Sequence, residues 1–479
     1  MTRKIFPARL RPAAGVLALL AVSTAGPAAA AIQLQTVLPP MPVSEANASV
    51  FATPLAYRNG AVYTVNVEPG TNKIPTYGLG LNTVVRRGQR DADGRWRWTS
   101  HLIDPQTPND PYHTQASIGL DKRGYVHVVY AMHYLPWRYS VSARPDSIDK
   151  FIFRGQRSSV TARYKAQHRD VEFPGPGTAA IPGIQVTYPA FFTDRNGELY
   201  VTYRYAVRPK RTWAERVFAG SIARYDVNTR RWIQIGGDVS LGAADVDLPP
   251  GKRSLTTRPF AMEPGWWTYQ IRLAFDRNNG MHASWLWRIG NSGPDNRHPS
   301  YAYAPAGSDI FYRSDGSAYT LPIRLHSADW IAPKTLPPLG PKGFYNPARM
   351  AVTDGGNSVV SVQAVDGRRY AVRLNDKGVW QQPEPIPYDA WQIRYDDQGR
   401  EWAFATGLIV FQRDVDADGE PRSDWRTVFE GTKANGGNLC SPRIVAGDSD
   451  ATFFIHGNVI DQGQCRDDRI AIVRLSETG

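Results

Sequence analysis

The feature that most constrains the fold is a recurring segment, a turn of Asp, Asn and Gly followed by a short alternating strand rich in Val, Tyr and Trp. The copies read RNGAVYTVNV from residue 58, DKRGYVHVVY from 121, DRNGELYVTYRY from 194, DRNNGMHASWLW from 276, DGGNSVVSVQA from 354, DDQGREWAFA from 396 and GDSDATFFIHG from 447. Short strands joined by such turns at a long period are typical of β-propellers. The seven copies therefore predict an all-β, seven-bladed β-propeller, whose closed ring leaves no exposed sheet edge.

Two other architectures also fit short strands, a pair of β-sandwiches and a β-helix, although the uneven spacing of the copies disfavours the β-helix. In the propeller, we expect a strand from near the mature N-terminus to complete the last blade. The long stretches at 134–182 and 206–265 are rich in Arg, Pro and Gly. They are predicted to lie on the faces of the ring and to shape a binding cleft.

The first thirty residues have the parts of a secretory signal: a basic start, a short apolar stretch, and small residues before a cleavage site near Ala30 or Ala31. No stretch reaches the roughly 18 consecutive apolar residues that a membrane helix needs. We therefore expect residues 1–30 to be a signal peptide and residues 31–479 to form a single catalytic propeller domain. The mature protein is expected to be secreted or periplasmic, with no membrane partner.

The chain has two cysteines, Cys440 and Cys465. In an oxidising compartment they are expected to form a disulfide that clips two neighbouring hairpins near the C-terminus. Two unpaired buried thiols are the alternative.

The charge balance bears on the kind of partner. Loss of the signal lowers the formal net charge from +12 to +8, because that segment carries four basic residues and no acidic ones. A basic exported protein favours an acidic polymer. Charge alone does not separate nucleic acid, an anionic polysaccharide and no polymer at all.

Two histidines flank the second copy of the repeat. A hairpin with its turn at 121–124 returns the second strand beside the first, so His113 and His133 reach the same end. Histidine is the side chain best suited to moving protons or contacting carboxylates near neutral pH. The alternative is that both are ordinary loop or core histidines.

The next hairpin repeats this arrangement, with Tyr188 before it and Arg204 at its close. Two adjacent blades would then present two histidines, a tyrosine and an arginine toward one face. This set suits β-elimination at a uronic acid, in which Arg and His neutralise the sugar carboxylate and make the C5 proton acidic. Tyr or His then removes that proton, and another group protonates the departing oxygen. Taken singly, Tyr188 also fits a packed core tyrosine, and Arg204 fits a structural salt bridge.

Four stretches resemble the BNR repeat-containing family, which includes the ulvan lyases of polysaccharide lyase families 24 and 25. They read PYHTQASIGLDKRGYVHVVYAMH, VTYPAFFTDRNGELYVTYRYA, WWTYQIRLAFDRNNGMHASWLWRIG and SYAYAPAGSDIFYRSDGSAYTLPI. The resemblance implies a seven-bladed propeller that cleaves a uronate polysaccharide. It also implies that Tyr188 and His113 are the acid/base pair, and that His133 and Arg204 neutralise the carboxylate.

The sequence departs from the family pattern in two places. Thr114 follows the first histidine where the family commonly has Asn, and residues 205–209 replace a Gly-rich run beside the cleft. The second change bears on the substrate more than on the chemistry. A further family tyrosine is matched by Tyr269, which the resemblance makes a substrate contact.

Other candidate substrate contacts lie on a strand and in a loop. In HASWLWRIG, alternation places Trp285 and Trp287 on one face, where we expect them to pack between blades. Arg288 lies on the other face, where it either reaches acidic groups of the substrate or serves structurally. Trp137 and Arg138, just beyond the second histidine, are candidate sugar contacts that would line the cleft.

Motifs for other chemistries are absent. The calcium-like run at 414–419 lacks the Glu of an EF-hand at its twelfth position, so we interpret it as a hairpin turn. No Ser-His-Asp elbow, phosphate-binding loop or tight His/Cys zinc spacing is present. The predicted chemistry requires no cofactor, and histidines such as His282 and His298 leave open a structural metal.

The sequence therefore predicts a monomeric polysaccharide lyase that cleaves an anionic, ulvan-like uronate polysaccharide by β-elimination and has no nucleic-acid partner. Two alternatives stay open: an exo-acting lyase that releases rhamnose from rhamnosyl-glucuronate ends, and a carbohydrate-binding propeller without chemistry. A sialidase-like hydrolase is more distant, and it would give products without a new double bond.

Overall fold

The computed structural model of the protein describes residues 31–478 with gaps at 49–50, 72, 75–77, 112, 136, 156–184, 209–216, 246–247, 249–250, 290–295, 332–345, 354, 364–367, 391, 397 and 448–450. Its regular structure consists of strands and short 3-10 turns at Glu45–Ala48, Leu325–Ser327 and Pro387–Asp389, which confirms the all-β prediction. The expected signal peptide lies outside the described residues. Within them, no helix is long and apolar enough to cross a membrane.

In chain order the strands are β1 (Ala31–Pro42), β2 (Leu55–Arg58), β3 (Ala61–Glu68), β4 (Lys73–Ile74), β5 (Gly78–Leu79), β6 (Leu81–Arg90), β7 (Trp96–Thr107), β8 (Ser117–Leu120), β9 (Val126–Val129), β10 (Tyr139–Ser142), β11 (Phe151–Phe153), β12 (Thr187–Thr193), β13 (Leu199–Ala206), β14 (Phe218–Asp226), β15 (Arg231–Ile235), β16 (Val239–Leu241), β17 (Leu255–Thr257), β18 (Trp266–Phe275), β19 (Met281–Ile289), β20 (Asn296–Ala304), β21 (Asp329–Trp330), β22 (Asn346–Val352), β23 (Ser358–Gln363), β24 (Arg369–Arg373), β25 (Glu384–Pro385), β26 (Gln392–Tyr395), β27 (Arg400–Phe404), β28 (Val410–Asp414), β29 (Arg426–Phe429), β30 (Leu439–Ala446), β31 (Thr452–Asp461) and β32 (Gln464–Thr478).

Most of these strands form four-stranded antiparallel groups, which we call sheets 1 to 7 within the described part of the chain. They are β2-β3-β6-β7, β8-β9-β10-β11, β12-β13-β14-β15, β18-β19-β20-β21, β22-β23-β24-β25, β26-β27-β28-β29 and β30-β31-β32-β1. A single parallel pair, Phe218 with Trp267, joins sheets 3 and 4. As predicted, the N-terminal strand completes the last sheet: β1 pairs antiparallel with β32, beginning at Ala31 opposite Thr478.

Each recurring sequence segment forms the first hairpin of one sheet, and the turn at Asp121 shows why. Its Oδ1 accepts the backbone N–H groups of Arg123 (2.9 Å) and Tyr125 (3.0 Å), which closes the turn. Gly124 takes a φ of 88°, a conformation that glycine adopts without steric cost. The second carboxylate oxygen accepts a hydrogen bond from His127 Nε2 at 3.3 Å. The turn is therefore tied to the buried strand that follows it.

The same turn recurs elsewhere in the chain. One carboxylate oxygen accepts two backbone N–H groups at Asp194, Asp276, Asp396 and Asp416. The last of these belongs to the calcium-like run, which lies between β28 and β29. That run is therefore a turn between strands, as interpreted from the sequence.

The core lies between the faces of neighbouring sheets. Strand β13 is buried at all 8 positions, because sheet 3 packs against other sheets on both sides. On one side Val201 packs with Val129 of sheet 2, and on the other Ile222 packs with Trp285 of sheet 4. Trp285 and Trp287 are both fully buried, so their predicted packing role is confirmed.

The expected disulfide between Cys440 and Cys465 is present, and it joins β30 to β32 across two consecutive hairpins of sheet 7. Replacing both cysteines by serine is expected to lower the free energy of unfolding by about 2–4 kcal/mol, because the unfolded chain loses a closed loop. Urea unfolding followed by tryptophan fluorescence measures this difference. Reducing agent should lower the urea midpoint of the unaltered protein to that of the variant. The midpoint of the variant should not change. Equal midpoints without reducing agent would contradict the prediction.

Candidate active site

The predicted site residues lie at the open ends of the first hairpins of sheets 2, 3 and 4, opposite the Asp turns. These residues are His113 before β8, His133 after β9, Tyr188 on β12, Arg204 on β13, Tyr269 on β18 and Arg288 on β19. A two-residue bridge between Leu135 and Val186 ties the loop after β9 to the start of β12. Polar side chains from neighbouring sheets therefore meet at one end of the hairpins.

His113 and His133 converge on one carboxylate, that of Asp110. Nδ1 of His113 donates to Oδ1 at 2.9 Å, Nδ1 of His133 donates to Oδ2 at 2.6 Å, and the two rings stack with centroids 4.2 Å apart. Burial raises the pKa of Asp110, but hydrogen bonds from both imidazoles outweigh it and hold that pKa well below its usual range. The ionised carboxylate thus keeps a proton on each Nδ1 and leaves each Nε2 as an acceptor. Burial also lowers the pKa of His133, so its ring is neutral near pH 7.

Tyr188 lies on a β-bulge, where the register of β12 shifts after Thr187. Its φ of 57° is in the left-handed region, which is costly for a tyrosine and is found at sites where structure serves function. Its ring stacks on Phe51 at 3.9 Å and lies 6.1 Å from the ring of His113 and 5.8 Å from that of His133. Burial raises the pKa of Tyr188 well above the ordinary tyrosine value, so its hydroxyl is protonated at neutral pH.

Arg204 is a cation buried among aromatic rings. It is 3% exposed. Its guanidinium carbon lies 5.1 to 5.4 Å from the ring centroids of Tyr134, Tyr188, Phe218, Trp267 and Tyr269. Nη2 donates to the Tyr134 hydroxyl at 3.1 Å, whereas Nε and Nη1 have no hydrogen-bond partner among the described residues. Burial lowers the pKa of Arg204, but the nearby tyrosines outweigh it and raise that pKa. The site therefore holds a permanent positive charge with donors suited to a carboxylate.

Tyr269 and Arg288 extend the site onto sheet 4. Nη1 of Arg288 donates to the Tyr269 hydroxyl at 3.2 Å, and its guanidinium lies 5.2 Å from that ring. Arg204 lies 5.2 Å from the same ring. The ring of Tyr269 is therefore contacted by two guanidinium groups, and all the predicted residues except Trp137 and Arg138 come together.

Trp137 and Arg138 lie away from this site. Trp137 is fully buried and packs edge-on against Tyr203 at 5.1 Å, in the core between sheets 2 and 3. Arg138 forms an ion pair with Asp104 and lies 5.4 Å from the ring of Tyr130. The expected sugar contacts are instead core and structural groups, because the chain enters the core directly after the bridge that follows β9.

Three residues of the site were not predicted from the sequence. Asp110 lies three positions before His113 and accepts the backbone N–H of that histidine at 3.2 Å, so the run Asp-Pro-Tyr-His was the available signal. Tyr134 directly follows His133 and binds the buried arginine. Phe51 comes from the segment before β2 in sheet 1, and no local pattern marks it.

Within the described part of the chain, one group of side chains is close enough together to hold a metal ion. Its members are Asp110, His113 and His133, whose ligand atoms lie within 4.8 Å of one another. Their hydrogen bonds already share two protons with the carboxylate. Both Nδ1 atoms and both carboxylate oxygens are used by these hydrogen bonds, an arrangement that fits proton transfer.

His282 and His298 occupy separate environments. His282 is buried, and Asp276 accepts a hydrogen bond from its Nε2 at 3.2 Å. The His298 ring stacks on Trp330 at 4.2 Å. The structure therefore gives each of them a packing or hydrogen-bonding role of its own.

Successive four-stranded antiparallel sheets, with a polar site at the open ends of their hairpins, place the chain in the propeller-like class of all-β proteins. A family model described as BNR repeat-containing family member matches residues 81–386. The chain belongs to the BNR repeat-containing family, which confirms the resemblance noted in its sequence.

The solved structures that share this fold include two lyases. The crystal structure of polysaccharide lyase Uly1 superimposes with a TM-score of 0.58 at 14% identity, covering 89% of this chain and 90% of that one. A PL25 ulvan lyase bound to -[GlcA(1-4)Rha3S]- gives a TM-score of 0.52 at 13% identity, covering 92% and 95%. At these identities the similarity shows the fold alone. A comparison with curated proteins gives no match.

Proposed function

We propose that this protein is a polysaccharide lyase that cleaves a uronate-containing anionic polysaccharide by β-elimination. One observation carries the proposal: Asp110 aligns two histidines beside the ring of Tyr188 and the buried charge of Arg204. The cluster supplies a base, an acid and a cation side by side. These are the groups that removal of a proton next to a carboxylate requires.

The proposed scaffold is a seven-bladed β-propeller formed by one domain, residues 31–479. Support comes from contacts between the first strands of successive sheets: β2 with β8, β8 with β12, β12 with β18, β18 with β22, β22 with β26, β26 with β30 and β30 with β2. This series returns to its starting strand, and the pairing of β1 with β32 would hold the ring closed. We further propose that residues 1–30 direct export and that the protein acts as a secreted or periplasmic monomer. The disulfide agrees with an oxidising compartment.

In the proposed reaction, the buried positive charge of Arg204 stabilises the uronate carboxylate electrostatically, which lowers the cost of negative charge developing at C5. His133 is the second contact. A bound carboxylate on one side of its ring and Asp110 on the other would raise its pKa and favour the imidazolium.

Tyr188 and His113 divide the proton transfers. Tyr188 keeps its proton because burial raises its pKa, so it is assigned to protonate the departing oxygen. His113 is assigned to remove the C5 proton, because its side chain is 38% exposed, against 19% for that of His133, and its Nδ1 is held by Asp110, so that Nε2 is the nitrogen assigned to accept the proton. The C5–H and C4–O bonds break, and the product carries a C4–C5 double bond.

The test is the ultraviolet absorbance of the unsaturated uronate product, followed while the mature protein is incubated with a panel of uronate polysaccharides. An ulvan-like polymer is the first choice, since a protein of this fold was solved with -[GlcA(1-4)Rha3S]- bound. A rise in absorbance supports elimination, and the sizes of the products separate endo from exo action. New reducing ends without absorbance would contradict elimination and favour hydrolysis. Retained binding without products would favour the carbohydrate-binding propeller.

Arg288 is proposed to bind the substrate without taking part in proton transfer, because its hydrogen bond to Tyr269 places it at the edge of the cluster. Arg288→Gln is expected to raise KM about tenfold with kcat nearly unchanged, since removing a charge-assisted hydrogen bond that is equally strong in the ground and transition states weakens binding alone. Initial rates over a range of substrate concentrations measure both constants. Arg277→Gln, an exposed arginine in the turn of the same hairpin, is the control. A fall in kcat with constant KM would contradict this role.

A further inference from the structure

A second polar cluster lies away from the proposed active site, on sheets 4 to 7. Arg272 on β18, Arg349 on β22, Arg394 on β26 and Arg443 on β30 line one cavity of about 110 Å³. These are the first strands of four successive sheets. The cavity therefore lies where those strands converge.

Three of the arginines occupy the same place in their sheets. Register shifts separate Tyr269 from Arg272 on β18, residue 346 from Arg349 on β22, and Cys440 from Arg443 on β30. Each arginine therefore directly follows a β-bulge, a device that turns a side chain away from the regular alternation of a strand. The repetition makes the cluster a regular feature of the fold.

Backbone carbonyl groups hold the arginine side chains in place. Nη1 of Arg272 donates to the Phe51 carbonyl at 3.0 Å, and Nη2 of Arg394 donates to the Ile444 carbonyl at 3.4 Å. A guanidinium has five N–H donors in a rigid fork. Arginines anchored in this way line the cavity with a fixed orientation.

The cluster concentrates positive charge in a buried place. Arg272 and Arg443 are 4% and 6% exposed. Burial and the neighbouring Arg443 lower the pKa of Arg272 to about 9, and burial together with the other arginines lowers the pKa of Arg349 well below its usual value. Arginine nonetheless keeps its charge at neutral pH. Because a buried cavity screens charges poorly, the like charges of the arginines repel one another. A bound multivalent anion would replace that repulsion with attraction.

We propose that this cavity binds a small tetrahedral oxyanion, inorganic sulfate or phosphate or the sulfate ester of a sugar, which bridges the first strands of sheets 4 to 7. Planar guanidinium forks match such an anion through paired hydrogen bonds. The site is independent of the proposed elimination, because its arginines differ from those of the Asp110 cluster. Phe51 connects the two places, since its carbonyl accepts from Arg272 and its ring stacks on Tyr188.

The test is a titration of the mature protein with sodium sulfate at constant ionic strength, after dialysis against chloride buffer. Calorimetry is expected to show one sulfate per chain, and saturating sulfate should raise Tm by about 3 °C. Arg349→Gln and Arg394→Gln should each weaken sulfate binding by at least about tenfold. Arg277→Gln, an exposed arginine elsewhere on sheet 4, should bind as the unaltered protein does.

Two results would overturn the proposal. One is the absence of saturable binding of sulfate and of phosphate to the unaltered protein, which decides the matter even if a variant fails to fold. The other is unchanged affinity in both arginine variants. A sulfated disaccharide tested in competition separates the sources: displacement of inorganic sulfate assigns the site to a glycan ester, and lack of displacement assigns it to the free anion.

Discussion

Replacing Tyr188 by phenylalanine is expected to lower kcat by about 10²–10⁴-fold, the range that a positioned acid or base contributes. The change removes only the hydroxyl, so the ring keeps its stacking on Phe51 and its place beside Arg204. Binding of the polysaccharide should therefore persist. The rate of formation of the unsaturated product, together with affinity for the intact polymer, measures the two effects separately.

Tyr57 provides a matched control for this variant. It lies on the first strand of sheet 1, and its ring stacks on Phe454 at 4.6 Å, much as that of Tyr188 stacks on Phe51. Tyr57→Phe should leave kcat unchanged. If Tyr188→Phe retained most of its activity with normal folding, the hydroxyl would not be the proton donor, and the assignment of acid and base would fail.

The second large effect is expected at Asp110, a positioning residue that acts through the histidines. Asp110→Asn should lower kcat/KM by about 100-fold or more, because an amide donates as well as accepts and forces the wrong tautomer on one ring. The carboxylate also raises the pKa of His133 through its hydrogen bond. Its loss should lower that pKa, and because His133 is proposed to act as the imidazolium, the alkaline limb of the pH–rate profile should move to lower pH.

The shift of the alkaline limb separates positioning from a merely structural role. Asp276 is a matched control, because it too accepts a hydrogen bond from a histidine, His282, but in the core. Asp276→Asn should lower Tm without moving the alkaline limb. An Asp110→Asn variant that lost activity with an unmoved pH profile would count against the proposed pairing.

The sequence predicted those parts of the site that depend on local geometry. His113 with His133, and Tyr188 with Arg204, each flank a hairpin, and the length of a hairpin determines which residues meet at its open end. The Asp turns were visible for the same reason. The family resemblance then supplied Tyr269, which contacts Arg204 in the structure.

The remainder depends on contacts between distant segments, which no local pattern encodes. Phe51 reaches Tyr188 from sheet 1. Asp110 was visible in the run Asp-Pro-Tyr-His, but its role follows only from its contacts with both histidines. Trp137 was expected at the cleft because it follows His133 closely in what reads as a loop, yet the chain passes into the core after the bridge at Leu135. The left-handed backbone of Tyr188 likewise arises from a β-bulge that no local sequence pattern predicts.

The pairing of β1 with β32 makes neighbours of the first and last described residues, with Ala31 opposite Thr478. A short linker between these ends would turn the sequence into a circle. New termini should then be tolerated in an exposed outer turn such as that at Asp376 and Lys377. A circular permutant opened there would place an uninterrupted covalent chain through sheet 7, where the natural chain relies on hydrogen bonds between β1 and β32.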